Sequence, residues 1–281
     1  MTSYVTDPKL IKQFLNNPSM NDQEGIAFAY ATDPEMLAKL IPAPLKLAAP
    51  IVMGYVVHMG KPSFGAPYLE QTLYALVSYQ DKMMGAYPFE LLLHGPGAEA
   101  AMVAGREGAG IPKKLADKIE LTRMGDTAHA AVRRHGQELL AVDWAAGDIN
   151  DPSFLPQFAQ MMPLNKPVEN TSFFFDYDVE QAEDGSNHFA NVQLVATQMT
   201  SVTSSLEPGK LTLKLNSTED DPLGELKVLK PLGAGWYHFD TSVMHQTVKL
   251  ADVDADAIAP YLITGRYDQG ILKPQATSYQ I

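Results

Sequence analysis

Apolar residues in this chain gather in short runs broken by Gly, Pro and polar pairs, and the spacing within each run predicts its element. Asp7-Pro8 supplies a cap and a first-turn proline. Leu10, Ile11, Phe14 and Leu15 then share one side, so an amphipathic helix is expected within residues 1–20. Ile26 to Ala31 alternates large and small residues and reads as a strand. Asp33-Pro34 repeats the cap-plus-proline signal for a helix ending near Leu40, before the breaker Pro42-Ala43-Pro44. From Ile51 onward strands dominate. Ile51 to Met59, Tyr68 to Tyr79 and Ala86 to His94 are followed by Lys118 to Met124, Thr127 to Arg134 and Glu138 to Trp144. Gly125-Asp126 and His135-Gly136 separate the last three into an antiparallel meander. Ser172 to Asp178, Phe189 to Thr203, Lys210 to Leu215 and Gly235 to Val243 are further strands, with polar loops at Asn165 to Asn170 and Gln181 to Asn187. Asp252 to Leu262 reads as a capped helix and residues 264–281 as an extended tail. With no repeat and no linker, one domain over residues 1–281 is expected.

Composition narrows the chemistry. Twenty-one Lys and Arg against 33 Asp and Glu give a formal charge of −12, which argues against a nucleic-acid face. The absence of cysteine removes disulfides, thiol nucleophiles, iron–sulfur clusters and zinc–thiolate sites. No apolar run approaches the roughly 18 residues of a membrane span, and no leader pattern follows Met1, so a cytoplasmic protein without a membrane partner is expected.

Several motifs fail on spacing. In Gly105 to Lys114, GREGAGIPKK, Ile111 and Pro112 stand where a P-loop needs Lys, and Lys113 where a dinucleotide fingerprint needs Gly. Asp252, Asp254 and Asp256 open like a calcium loop, but Ala257 and Ile263 break it, leaving helix capping as their reading. His58, His94, His129, His135, His188, His238 and His245 show no tight ligand spacing. No metal and no cofactor are expected. Met83, Met84, Met161 and Met162 suit either a pocket mouth or gaps in the core.

What remains is the pair Lys113-Lys114. Read plainly, two adjacent lysines are solvated charges. These two, however, follow the small-residue stretch Ala98 to Ala104 and a Gly/Pro-rich turn, between apolar strands. A lysine among apolar groups loses ammonium solvation, and its neutral amine can add to a ketone.

The run GRE-x-x-x-x-PKKL, Gly105 to Leu115, resembles the signature of the acetoacetate decarboxylase family. Tyr30-Ala31-Thr32-Asp33, Ile41-Pro42-Ala43-Pro44-Leu45 and Pro50-Ile51-Val52 are similar to that family's N-terminal segments, and the likeness extends from Gln23 to about Leu262. The resemblance implies an α+β, mainly antiparallel fold, a cone-like twisted β-barrel with peripheral helices around an apolar cavity. It implies Lys113 as the Schiff-base lysine, Lys114 as its neighbour, Glu70 as the proton-handling carboxylate, and Arg106 and Glu107 as supports of the lysine loop. It also implies a cofactor-free enzyme that assembles into homo-oligomers. Gln23 stands where the family has a substrate-facing arginine, and Tyr55 where it has a second glutamate. Gln lacks the charge-assisted grip of Arg, and Tyr offers an O–H in place of a carboxylate.

The expectation is therefore a carbon–carbon lyase of the aldolase or dehydratase kind. It would act on a small keto acid through a Lys113 iminium, with an aldehyde as the further partner. Glu70 and Tyr55 would be its catalytic groups, and Gln23 and Tyr237 would contact substrate. Tyr237, in Gly235-Trp236-Tyr237-His238-Phe239, has a core role as its plain reading. Acetoacetate decarboxylation is the first alternative, and a non-catalytic carrier of small apolar ligands is the second.

Overall fold

A computed structural model describes residues 4–272, and strands account for most of them. Asp7-Pro8 opens α1 (Pro8–Phe14), and β1 (Met20–Ala31) follows. Asp33 caps α2 (Pro34–Ala38), its carboxylate accepting from the N–H groups of Glu35 and Met36. β2 (Leu45–Pro62), β3 (Tyr68–Tyr79) and β4 (Met83–His94) form an antiparallel meander. α3 (Ala98–Ala109) leads into β5 (Lys114–Leu115), which runs parallel to β4. The second meander is β6 (Lys118–Met124), β7 (Thr127–Arg134) and β8 (Gln137–Ala146). α4 (Leu155–Met161), β9 (Pro167–Gln181), β10 (Asn187–Leu215), β11 (Lys230–Asp252) and α5 (Ala255–Arg266) complete the order, with Asp254 capping α5.

The sequence expectations fail where Gly and Pro do not end an element. Gly105 to Ala109, read as the start of a turn, is the last part of α3. Phe189 to Thr203 and Lys210 to Leu215 are one strand of 29 residues. Pro208-Gly209 is tolerated there because Gly235 and Ala234 of β11 pair beside it, while Gly209 also pairs with Ala146 of β8. α4 went unread. The tail expected from residue 264 begins in α5, which runs to Arg266, and a short 3-10 turn covers Gln269–Leu272. Residues 273–281 of that tail lie outside the described residues.

All eleven strands belong to one sheet, in the order β11-β1-β2-β3-β4-β9-β10-β8-β7-β6 with β5 beside β4. β10 also pairs with β11, so the first seven strands of that order close on themselves. The β4–β9 seam is the single parallel pair Ala86 and Ser172. The result is a twisted, mainly antiparallel ring, not a regular barrel. β6 to β8 continue from the C-terminal half of β10 and pack their apolar face onto Ile26, Phe28, Val56 and Leu73. This main core includes fully buried Trp144, Tyr30 and Phe173, each contributing about 1.5–3 kcal/mol by leaving water.

The opposite face of the ring carries a second cluster, built from Val57, Met59, Tyr68, Leu91, Leu93, Phe174, Val195 and Tyr237 and covered by Ala98, Ala101 and Ala109 of α3. The two clusters arise because neighbouring residues of a strand point to opposite faces. Among the described residues no helix is long and apolar enough to cross a membrane.

Candidate active site

The second cluster contains the polar residues singled out in the sequence, and strand register explains how they meet. Tyr237 of β11, Gly25 of β1, Val57 of β2, Glu70 of β3 and Leu93 of β4 pair in succession across the sheet. Tyr55 and Gln23 lie two residues before Val57 and Gly25, hence on the same face. Leu93 pairs in turn with Leu115 of β5, which brings the lysine loop to the edge of this row.

α3 shapes the approach of Lys113. Gly110 ends the helix in a left-handed conformation (φ 65°), which glycine adopts without a Cβ penalty. A Cβ there would also stand 2.6 Å from the Phe175 carbonyl oxygen. The loop then folds back, with Ile111 N–H donating to Gly105 O (3.1 Å) and Lys113 N–H to Ile111 O (2.9 Å). The Lys113 side chain lies directly across Gly105, where a Cβ would fall 2.8 Å from Cε and 2.9 Å from Cδ. The first residue of the GRE run is thus the floor under the lysine.

Lys113 is 4% exposed and Glu70 3%. Lys113 Nζ stands 3.7 Å from Glu70 Oε2 and donates to the Ala101 carbonyl oxygen at 3.3 Å. Glu70 Oε1 accepts from the Tyr55 hydroxyl at 2.7 Å, and Thr72 lies at 3.5 Å from the same oxygen. Burial and the Glu70 charge hold the Tyr55 phenol well above its ordinary range, so Tyr55 remains a proton-bearing donor. Gln23 Nε2 donates to the Tyr237 hydroxyl, and burial raises that phenol as well.

Sequence reasoning missed Tyr68. Its hydroxyl is buried without a hydrogen bond, as is Glu70 Oε2, and burial and the Glu70 charge raise its pKa. The signal was present: Tyr68, Glu70 and Thr72 are alternate residues of one strand and share a face.

The remaining nominated residues lie apart from this group. Lys114 points to the other face, where its ammonium contacts Asp221 Oδ1 and the carbonyls of Asp220 (3.1 Å) and Thr264 (3.4 Å). Asp221 also accepts from Arg134 at 2.6 Å, and Arg134 reaches Asp268 at 2.6 Å. Arg106 does not pair with Glu107. It donates to the Arg266 carbonyl at 2.8 Å and lies over the Tyr267 ring, tying α3 to the end of α5. Glu107 is exposed on α3. Arg266, unforeseen from the sequence, is buried and donates to the carbonyls of Gly110 and Phe175, so it clamps the loop that presents Lys113.

Of Met83, Met84, Met161 and Met162, the last packs against the second cluster. Met161 sits against a small group around Met53, Met83 against the main core, and Met84 is exposed. Among the described residues, ligand-type side chains gather at His135, Asp220 and Asp268, but the Arg134 guanidinium already pairs with Asp268.

Chemically, the cluster offers an amine able to attack a carbonyl, a carboxylate beside it to move protons, phenols that keep their protons, and apolar walls that exclude water. A carboxylate-binding guanidinium is not among these groups, because Gln23 faces Tyr237 instead.

Comparisons with known proteins identify relatives of the chain. The family profile described as Acetoacetate decarboxylase (ADC) matches residues 1–252. A CLA biosynthesis isomerase from Lactiplantibacillus plantarum is 63% identical over 281 residues, covering 100% of both chains. The solved acetoacetate decarboxylase of Legionella pneumophila superposes with a TM-score of 0.71 at 19% identity, over 90% of this chain and 99% of that one. The enduracididine biosynthesis enzyme MppR, solved with the condensation product of pyruvate and imidazole 4-carboxaldehyde, gives 0.65 at 14% identity, over 90% and 97%.

Proposed function

The chain belongs to the acetoacetate decarboxylase family, and on that premise we propose that it is an isomerase that shifts a carbon–carbon double bond next to a ketone. The observation that carries this reading is the buried Lys113–Glu70 pair, 3.7 Å apart, with no second buried cation in the cluster among the described residues. The name of the relative that is 63% identical over its whole length supports the isomerase branch.

The steps balance without a cofactor. The Lys113 amine adds to the ketone carbon and one water leaves, giving an iminium. The iminium acidifies the CH between the former carbonyl and the double bond. Glu70 takes that proton and the electrons move into a dienamine. A proton returned to the far carbon of the conjugated system restores the iminium with the double bond moved. Water then releases the ketone and frees Lys113. Tyr55, held protonated against Glu70, keeps the carboxylate oriented. A proton-transfer base of this kind contributes about 10²–10⁴-fold.

Carbon–carbon lyase chemistry on a keto acid, including decarboxylation, begins at the same iminium and is the second reading. It is favoured by the fold neighbour solved with a pyruvate condensation product. Against it stands Gln23, which offers a carboxylate neither a positive charge nor the bidentate fork of an arginine.

Incubation of the protein with a β,γ-unsaturated methyl ketone in D₂O tests the first reading. The conjugated enone should form with deuterium at the γ-carbon, and borohydride should fix the probe onto Lys113. Both signals should vanish in Lys113→Ala, and isomerisation should vanish in Glu70→Gln. CO₂ release from acetoacetate, or aldol products from pyruvate, with no enone formed would replace it by the second. Absence of any trapped adduct on Lys113 would sink both.

A further inference from the structure

Behind the lysine loop, on the side of the sheet that carries Lys114, a cleft of about 100 Å³ lies between α2, β4 and α5. Leu40 and Pro112 contribute apolar walls and Tyr87 and Tyr261 two aromatic rings. The ionisable side chains of the lining other than those phenols are Glu90 and Glu225, both acids. Glu90 is 4% exposed, and its Oε1 has no hydrogen-bond partner among the described residues. An acceptor buried without a partner is unfavourable, and the Glu90 carboxyl, which belongs to the cleft lining, can take a donor from it.

We propose that this cleft binds a small primary ammonium carrying an apolar group, with the ammonium on Glu90 and the apolar group against the aromatic and aliphatic walls. The charged neighbours favour this class. Lys114 and Arg134 face Glu90 from β5 and β7, but Asp221 and Asp268 already neutralise them, two cations against two carboxylates. Glu225 adds negative charge to the lining, and Tyr87 and Tyr261 contribute aromatic rings, a surface type that attracts cations. An anion would meet two acids, and a neutral alcohol brings no positive charge to hold Glu90 in its ionised form.

Protonation adds a signature. Burial, with Asp221 nearby, pushes the Glu90 carboxyl up to about 7, against the pull of Lys114 and Arg134. Empty, the site holds a proton near neutral pH, and an arriving ammonium must displace it. Pro112 belongs both to the cleft and to the loop that ends at Lys113, so an occupant would touch the residue preceding the candidate nucleophile. The inference does not rest on what Lys113 does.

Calorimetric titration of the full chain with n-butylammonium, n-butanol and butyrate tests it. Saturable binding is expected for the ammonium alone. Its affinity should rise about 10-fold between about pH 6 and about pH 8 as Glu90 ionises, since the amine stays charged throughout. Glu90→Gln should abolish that pH dependence and lower affinity at least about 10-fold, the effect of one lost charge-assisted bond. Glu225→Gln, at an exposed position that leaves folding intact, should lower it less. Equal binding of butanol, pH-independent affinity in the native protein, or no saturable binding of butylammonium would each overturn the proposal. The native pH profile decides it even where Glu90→Gln fails to fold.

Discussion

Replacing Gly105 by alanine adds one methyl group at the point where Lys113 crosses α3. The new Cβ would lie 2.8 Å from Cε, 2.9 Å from Cδ and 3.1 Å from Nζ. Carbon atoms in contact prefer about 3.5–4.0 Å, so the lysine chain must retreat by roughly 0.7–1 Å. Nζ moves with it, away from the Ala101 carbonyl and out of its present relation to Glu70. A displacement of about 1 Å at a reacting group can cost about 10²-fold in rate, and that is the expected loss in kcat and in the rate of borohydride trapping. Stability moves differently. Alanine is favoured over glycine inside a helix by about 0.8–1.0 kcal/mol, which offsets part of the local strain, so the unfolding free energy should stay within about 1 kcal/mol of the native value. Gly108→Ala is the matched control: it sits in the same helix, with nothing within 4 Å of the added Cβ. It should be fully active and slightly more stable. Thermal unfolding and single-turnover trapping on both variants provide the two readouts. Native trapping rates in Gly105→Ala, or equal losses in Gly108→Ala, would refute the reasoning that Gly105 exists to seat the lysine.

Three further outcomes follow from the same geometry. Asp221→Ala should destabilise the protein by about 3–5 kcal/mol, read by denaturant unfolding, because it leaves the ammonium of Lys114 and the guanidinium of Arg134 buried without their shared carboxylate. Glu90 should make stability fall as pH rises. The native state keeps its proton up to about 7, whereas the unfolded chain releases it near 4.5, so about 3 kcal/mol is lost across that window. Unfolding curves of Glu90→Gln should lack that component, and a difference between the two proteins that grows toward low pH in the opposite sense would contradict the assignment. Tyr55→Phe removes the 2.7 Å donor to Glu70 and should lower kcat about 10-fold, the worth of a hydrogen bond to a charged group, while the reduced Lys113 adduct still forms.

Local chemistry was legible wherever a residue's role depends on its near neighbours in the chain. Asp33 and Asp254 cap the helices that begin beside them, since a carboxylate reaches N–H groups two or three residues on. β3, β6 and β7 begin and end where turn residues and alternation placed them. α3 was misread because its Gly and Ala content carries the composition of a turn. It is helical because small residues let it lie close over the sheet with Lys113 between them. β10 was divided at Pro208-Gly209, since no local rule shows that two neighbouring strands support the chain there.

The sequence by itself determined a cysteine-free, acidic, strand-rich chain with one lysine pair in an apolar setting, because composition and period-two alternation are properties of the chain alone. Only the tertiary structure decided which lysine faces which chemistry. A single step along the chain, from the loop into β5, turns Lys113 toward Glu70 and Lys114 toward Asp221 on the other face, and the partners waiting there come from residues 43 and 107 positions away in sequence. The neighbours of Glu70 depend likewise on the register that aligns four strands from Tyr237 to Glu70. Register follows from how the whole sheet buries its two apolar faces, and no segment contains that information.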